Sequence, residues 1–319
     1  MNRAVILGIN GQDGIYLSKL LLKNNINVFG IGTQDSKSHF IDNQITYKRI
    51  DMRNTSMLVD FIQQNECDYI FNLAGLSSVA DSFSKPKDYY EINSVAVKNL
   101  LSSIYSKNSL RNVRFYQASS CEVFGTTTDI PQNEATDLNP LSPYAESKAI
   151  AQLECAKYRE SGFFVSVGIL FNHESIYRPL NFVSRKITRG VAEIYLGRRQ
   201  SLQMGNLSAV RDWGFAGDYV EAIFGILRHD KPETFVVATG IERSVSELVQ
   251  TALKVVDLDN RFEELIKTSN DYLRPRDAQI LVGNFTKIRS ALGWSPKTNF
   301  RDLIETMVRH DLLELKSGL

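Results

Sequence analysis

The chain has 319 residues, 43% of them apolar and 23% charged, with a formal net charge of +1. That length supports a sizeable core in two closely joined lobes, and that balance is the one of an ordinary soluble globular protein. It provides no overall basic field to recruit nucleic acid or a membrane surface, so any basic recognition is local.

The three cysteines, Cys67, Cys121 and Cys155, are far apart and odd in number, which fits a reducing cytoplasm rather than a disulfide framework. The four histidines, His39, His173, His229 and His310, have no close ligand spacing, so no structural metal is expected.

The N-terminal "MNRAVILGINGQDG" passes from one basic residue into a short apolar run, too short and wrongly flanked for a signal peptide. Ala4–Gly8 reads as a buried strand. The spaced glycines Gly8, Gly11 and Gly14 follow it and open a helix whose apolar face carries Ile15, Leu17, Leu20, Leu21 and Leu22. Each glycine has a task in a dinucleotide loop: Gly8 for the tight turn, Gly11 for close approach of a pyrophosphate, Gly14 for packing helix on strand. No Gly-Lys pair exists, which removes the P-loop alternative.

Ile26–Ile31 is the second strand. The acid expected at its end, to hold an adenosine ribose, is missing from "GIGTQDS", where Asp35 comes late; NAD and NADP both stay open. Thr46–Ile50 is a third strand. The Asp51–Met52 pair after it either lines an adenine or is an ordinary strand end. Thr55–Gln64 reads as a helix, Tyr69–Ala74 as a strand, Tyr89–Ser106 as a helix, Val113–Ser119 as a strand and Phe163–Leu170 as a strand. Alternating β and α, with strands apolar on both faces, predicts an α/β fold: a doubly wound parallel Rossmann sheet with a smaller C-terminal substrate-binding lobe. The expected division is residues 1–170 for dinucleotide binding and 171–319 mainly for the second lobe, interleaved with the first. No apolar stretch approaches the ~18 residues of a membrane span.

Two segments carry chemistry. In "QASSCEVFG" the carboxylate Glu122 follows a buried strand, where an unpaired charge would be costly. In "LSPYAESKA" Ser142 is a good N-cap and Pro143 suits the first helical position, placing Tyr144 in the first turn and Lys148 on the same face. The helix end and the ammonium both favour a tyrosinate, hence a base near neutral pH. Ser120, at the strand's carboxyl end, is placed to hydrogen-bond the same substrate oxygen. Glycine loop, serine and Tyr-x-x-x-Lys match the extended short-chain dehydrogenase/reductases, which include epimerases, reductases and dehydratases.

Further segments, among them "GQDG", "RFYQASSCEVFG", "SPYAESK", "GILFNHES", "RDWGFAGDYVEAI", "YLRPRDAQILVGN" and "LGWSPKTNF", resemble the GDP-mannose 4,6-dehydratases from Ala4 to about Leu312. The resemblance implies a nucleotide-sugar 4,6-dehydratase acting on GDP-mannose or a related GDP-sugar. It assigns catalysis to Ser120, Glu122, Tyr144 and Lys148. Cofactor contacts fall on Gly8, Asn10, Gly11, Gln12, Asp13, Gly14, Asp51, Met52, Leu73, Ala74, Ser77, Tyr144, Lys148, His173 and Arg178. Sugar-nucleotide contacts fall on Asn172, Lys186, Arg211, Arg274 and Asp277, the last standing where the family usually has Glu. The implied cofactor is NADP, with NAD left open because the family's paired arginines after the second strand are Thr33 and Gln34 here. A cytoplasmic homodimer is implied by analogy, with a tetramer left open; no metal, nucleic acid or membrane partner is expected. The competing readings are a 4-keto-6-deoxy nucleotide-sugar reductase or epimerase on the same scaffold and, more remotely, a non-catalytic nucleotide sensor.

Overall fold

In a computed structural model, residues 2–317 are described. The chain begins β1 (Arg3–Leu7), α1 (Gln12–Lys23), β2 (Asn27–Gly32), β3 (Thr46–Arg49), α2 (Thr55–Gln64) and β4 (Tyr69–Asn72). It continues through α3 (Val79–Ser82), α4 (Pro86–Tyr90), α5 (Ala96–Ser106), β5 (Arg114–Ser120), α6 (Pro143–Glu160) and β6 (Val165–Leu170). After these come β7 (Asn172–Glu174), α7 (Val183–Tyr195), β8 (Leu202–Met204), β9 (Val210–Phe215), α8 (Ala216–Arg228) and β10 (Thr234–Val237). The C-terminal part holds β11 (Glu242–Ser244), α9 (Val245–Lys254), α10 (Phe262–Leu265), β12 (Ile266–Thr268), β13 (Ile280–Leu281), α11 (Thr286–Leu292) and α12 (Phe300–Ser317).

Seven strands form one parallel sheet in the order β10-β6-β5-β4-β1-β2-β3. Successive side chains of a strand point to opposite faces, and here both faces are apolar. Ala4, Ile6, Phe71 and Tyr116 pack under α1 and α8 with Leu17, Ile223 and Phe224. Val5, Leu7, Ile70 and Phe115 pack under α2, α5 and α6 with Leu58, Ile62, Leu100 and Ile104. The sheet is thus a doubly wound Rossmann layer, as the sequence pattern requires. Strand order reverses between β1 and β4, so a crevice opens outside their carboxyl ends.

The second half of the chain contributes to both lobes. β10 extends the large sheet and α8 covers it, while β7, β9, β11 and β13 form a small sheet beyond its carboxyl edge. α7, α9 and α12 close that lobe around Ile187, Val191, Leu248, Val249, Ile304 and Val308.

One helix differs from its expected form. Tyr89–Ser106 is not continuous: a π-helical turn over Glu91–Val95 separates α4 from α5. The extra residue of a π turn rotates a side chain out of register. Asn93 is turned inward here, accepting from Leu76 N at 2.9 Å and donating to Leu76 O at 2.9 Å. It therefore fixes the loop leaving β4, one wall of the crevice.

Inside the smaller lobe, Arg185 of α7 donates to Asp311 of α12 at 2.6 Å, and Thr188 donates to the other carboxylate oxygen at 2.7 Å, all three groups being buried. Removing one member of a buried pair leaves the other charge uncompensated. Asp311→Ala is expected to destabilise the protein by about 3 kcal/mol, read as a lower urea midpoint; a midpoint unchanged from the parent would show that this pair does not hold α7 on α12.

Candidate active site

The glycine loop is shaped by steric limits. Gly8 has φ +84°, and a Cβ there would lie 2.8 Å from Ala74 N. A Cβ on Gly14 would lie 2.5 Å from Ile9 Cα, so only glycine lets α1 start so close to β1. A Cβ on Gly11 would meet nothing nearer than Gly8 O at 3.3 Å, because this residue borders open space. Gly11 is also the N-cap of α1 and has no side chain to cap it, leaving the first-turn N–H groups available to an anion. Gly8, Asn10, Gly11, Gln12, Asp13, Gly14, Asp51, Met52, Leu73, Ala74, Ser77 and Arg178 line one cavity of about 590 Å³. This cradle fits the pyrophosphate of a dinucleotide.

At the end of β2 the cleft is uncharged. Asn10 Nδ2 donates to Gln34 Oε1 at 2.6 Å, Arg49 is paired with Asp35, and Arg53 is paired with Asp51 at 2.7 Å. The late acid Asp35 is exposed and serves Arg49 rather than lining the cleft.

The "NHES" segment explains how the loop is held. Gln12 is buried, donating to His173 O at 2.9 Å and accepting from Ser175 Oγ at 2.8 Å. Asp13 meets His173 Nε2 at 2.9 Å, and the imidazole Nδ1 lies 2.7 Å from Phe171 O and stacks on Tyr219. Burial alone would raise Asp13, yet His173 and Arg178 bring its carboxyl below the ordinary range. Burial would likewise lower His173, and Asp13 outweighs it and raises the imidazole. His173 thus stands behind Asp13, not in the dinucleotide cavity, and acts on that cavity through Asp13. Gln12 was expected as a cofactor contact and Ser175 lies in "NHES"; the bond between them, across 163 positions, was not expected.

A second cavity, of about 530 Å³, shares Asp13, Leu73, Ser77, Arg178 and Phe182 with the first. Ser120, Glu122, Tyr144, Lys148, Asn172, His173, Lys186, Arg211, Arg274 and Asp277 all line it. Every site residue expected from the sequence therefore borders one of two joined clefts at the sheet's carboxyl edge. Ser120 ends β5, and its hydroxyl accepts from Glu122 N at 3.3 Å, starting the short 3₁₀ turn that carries Glu122. Ser142 caps α6 through Ala145 N at 3.1 Å with Pro143 at the first helical position, so Tyr144 stands in the first turn. Cys121 is buried, and burial pushes its thiol upward, as suits a packing residue.

One expectation is reversed. Helix end and ammonium were to favour the Tyr144 phenolate; instead burial pushes the phenol well above 10, and Glu122's charge adds to this, against a hydrogen bond from Ser120. Lys148 does not pair with the phenol but donates to Ala118 O at 3.0 Å. Its own burial lowers it to about 8. Desolvation outweighs the local attractions because Tyr144 and Lys148 are only 8% and 6% exposed.

Opposite them lies a cluster of charges. β9 alternates, so Asp212 turns inward while Arg211 faces the cleft. Asp212 accepts from Thr239 N at 2.9 Å, Gly240 N at 2.8 Å and Gly283 N at 3.3 Å, which anchors the strand that presents Arg211. Arg211 donates to Asp277 at 2.7 Å, and Arg274 reaches the same carboxylate oxygen at 3.0 Å. Arg274 also lies 3.3 Å from Glu122 Oε1. Burial would lower Arg274, but Glu122 and Asp277 hold it above its usual value. Lys186 sits 3.4 Å from the centre of the Tyr272 ring, an aromatic contact that sequence spacing did not reveal, since 86 positions separate the two.

The family model described as GDP-mannose 4,6 dehydratase matches residues 5–307. The chain belongs to the GDP-mannose 4,6-dehydratase family. It is 39% identical to GDP-mannose 4,6 dehydratase 2 of Caenorhabditis elegans, covering 97% of this chain and 88% of that one. It is 36% identical to the Sinorhizobium fredii GDP-mannose 4,6-dehydratase, covering 98% and 97%, respectively. Among solved structures, UDP-glucose 4-epimerase of Thermotoga maritima with UDP-glucose aligns at TM-score 0.86 with 21% identity, over 98% of this chain and 99% of that one. The dTDP-glucose 4,6-dehydratase of Bacillus anthracis with NAD aligns at 0.84 with 19% identity, over 100% and 98%. These two share the fold. As a GDP-mannose 4,6-dehydratase family member, the chain is an enzyme of nucleotide-sugar metabolism.

Lys148 makes a pH prediction. Its proton is held to about 8 in the fold against 10.5 in the unfolded chain. Between those values the unfolded chain binds the extra proton, so this group's contribution to stability rises with pH; below 8 it costs roughly 3 kcal/mol. Lys148→Met should therefore be more stable than the cofactor-free parent at pH 7, with the gap closing towards pH 10.5 in urea titrations. A gap that does not vary with pH would contradict this.

Proposed function

We propose that the protein converts GDP-mannose, or a closely related GDP-sugar, to its 4-keto-6-deoxy derivative with loss of water. The observation that carries this reading is the carboxylate Glu122 in the same cavity as Ser120, Tyr144 and Lys148. A hydride-transfer site alone has no use for that acid.

The dinucleotide cradle is Gly8 to Gly14 with Asp51, Met52, Leu73, Ala74 and Ser77, while Asp13 is braced by His173 and Arg178. When bound there, a nicotinamide dinucleotide supplies a hydride acceptor and donor, and its oxidised ring adds a positive charge that favours a tyrosinate. Tyr144 accepts the proton of the sugar C4 hydroxyl as C4 is oxidised, and Ser120 donates to the resulting carbonyl oxygen. The C4 carbonyl acidifies the C5 proton. Glu122 removes that proton and, now a carboxylic acid, delivers it to the departing C6 hydroxyl, which leaves as water. Hydride return to C6 and protonation of C5 by a solvent-exchangeable proton then complete a sequence with no net oxidation. Lys148 stands between Ala118 O and the Gly75 wall, where its charge serves the Tyr144 side of the cavity. Arg211, Arg274 and Lys186 hold the nucleotide, the guanidinium forks suiting a diphosphate.

For the cofactor, the family resemblance implies NADP, while the uncharged Asn10–Gln34 end of β2 favours NAD, since Arg49 and Arg53 are already paired with carboxylates. A homodimer is supported by Val95, Ile150 and Leu153, which stay 40%, 42% and 53% exposed on the π-helical turn and α6. Among the described residues no helix is long and apolar enough to cross a membrane. The unpaired cysteines, all buried, support a cytoplasmic setting.

Incubation with GDP-mannose in deuterated water, without added reductant, should give a product lighter by one water and deuterated at C5. Unchanged GDP-mannose with turnover of another GDP-sugar would overturn only the choice of hexose; no turnover of any GDP-sugar would defeat the proposal. Glu122→Gln should accumulate reduced cofactor at 340 nm (about the usual band for a reduced nicotinamide) while dehydrating at least about 100-fold more slowly; normal dehydration would remove Glu122 from its role. In binding titrations NAD should be favoured over NADP by about tenfold or more, because among the described residues at the end of β2 both arginines already face a carboxylate; the opposite order would show that Arg49 or Arg53 leaves its carboxylate.

A further inference from the structure

Arg274 has two partners of different kinds. Its Nη1 lies 3.0 Å from Asp277 Oδ1 and 3.3 Å from Glu122 Oε1, while Arg211 Nη2 lies 2.7 Å from the same Asp277 oxygen. Arg211 is 6% exposed at its side chain, Glu122 13% and Asp277 21%, so solvent screens these charges little, while Arg274, at 31%, is the most open of the four. Two guanidiniums and two carboxylates form a neutral cluster across the cleft. One of the carboxylates is the base of the proposed elimination.

The geometry points to Arg274 as a positioning residue that couples diphosphate binding to the proton affinity of Glu122. This rests on the proposed function and adds to it a link between nucleotide recognition and the chemical step. A diphosphate brings more negative charge into a cluster that is already balanced. Phosphate oxygens match a guanidinium fork better than a single carboxylate oxygen does, so Arg274 turns from Glu122 to the diphosphate. Glu122 then loses its counter-ion and faces added negative charge, and both changes make it hold a proton more strongly. Release of Glu122 from Arg274 on nucleotide binding keeps proton abstraction in step with substrate binding. Asp277 remains on Arg211 and keeps that fork in place when Arg274 moves.

The charged and titratable groups facing Glu122 are Arg274, Asp277 and Arg211 on the smaller-lobe side and Tyr144 and Cys121 on the sheet side. Tyr144 and Cys121 are both raised by burial and stay neutral through the acid range, so they do not confound a carboxylate titration.

The test uses cofactor-loaded protein carrying 13C-labelled glutamate side chains, with isotope-edited infrared titration and the Glu122 band assigned through Glu122→Gln. Saturating GDP or UDP should raise the proton affinity of Glu122 by roughly tenfold or more, while guanosine, which has no phosphate, should leave it unchanged. Arg274→Met should show the raised affinity without any diphosphate, and Arg274→Lys, which keeps the charge, should stay near the parent. Should Arg274→Met fail to fold, the diphosphate-against-guanosine contrast and the lysine variant still decide the matter. The inference is overturned if neither diphosphate binds, if a bound diphosphate leaves Glu122 unmoved, if guanosine moves it equally, or if folded Arg274→Met titrates like the parent. A shift in Glu122 from a protein that dehydrates no nucleotide sugar would defeat the proposed function and leave the coupling standing; dehydration without the shift would do the reverse.

Discussion

Everything at the carboxyl edge of the large sheet depends on one constraint, that charge taken out of water must be matched by charge or by fixed dipoles. Asp13 is accepted there because His173 and Arg178 face it, and Asp212 because three backbone N–H groups and Thr239 surround it. Glu122 and Asp277 are accepted because Arg274 and Arg211 stand opposite. Where burial outweighs the partners, proton affinity moves: Lys148 falls, and Tyr144 and Asp212 rise. Candidate site groups and structural groups obey the same rule, which is why both occur in one crowded layer.

That layer is assembled from distant parts of the chain. The glycine loop comes from the first crossover, Glu122 from the turn after β5, Tyr144 from the start of α6, and the cations from α7, β9 and the segment before β13. Two buried ties hold them in register. Gln12 and Asp13 grip the 173–175 segment, and Asp212 grips the turns at Thr239 and Gly283. Two of the motifs that carry the family resemblance contain these ties. "NHES" and "RDWG" both put residues into the cleft, Asn172 and Arg211 among them, and fasten the backbone behind it through His173, Ser175 and Asp212.

The doubly wound sheet was legible because strand and helix periods differ and both sheet faces are apolar; six predicted strands fall within two residues of the observed ones. The π turn was not legible, since it spans only five residues, too few for its change of phase to stand out in the apolar pattern. Tyr144 and Lys148 were placed correctly on α6 by cap and proline, yet their electrostatics came out opposite. Local attraction is visible in a four-residue spacing; burial, which depends on every element packed above, is not.

The sequence by itself determined the parallel Rossmann layer, the glycine loop and the positions of the candidate site residues, because each of these rests on short-range sterics or on a residue type at a fixed spacing. Tertiary structure alone decided which charge meets which. Arg274 stands 152 positions from Glu122, and His173 160 from Asp13. No local pattern records such pairs, since they arise only when the second lobe closes over the sheet and desolvates both partners together.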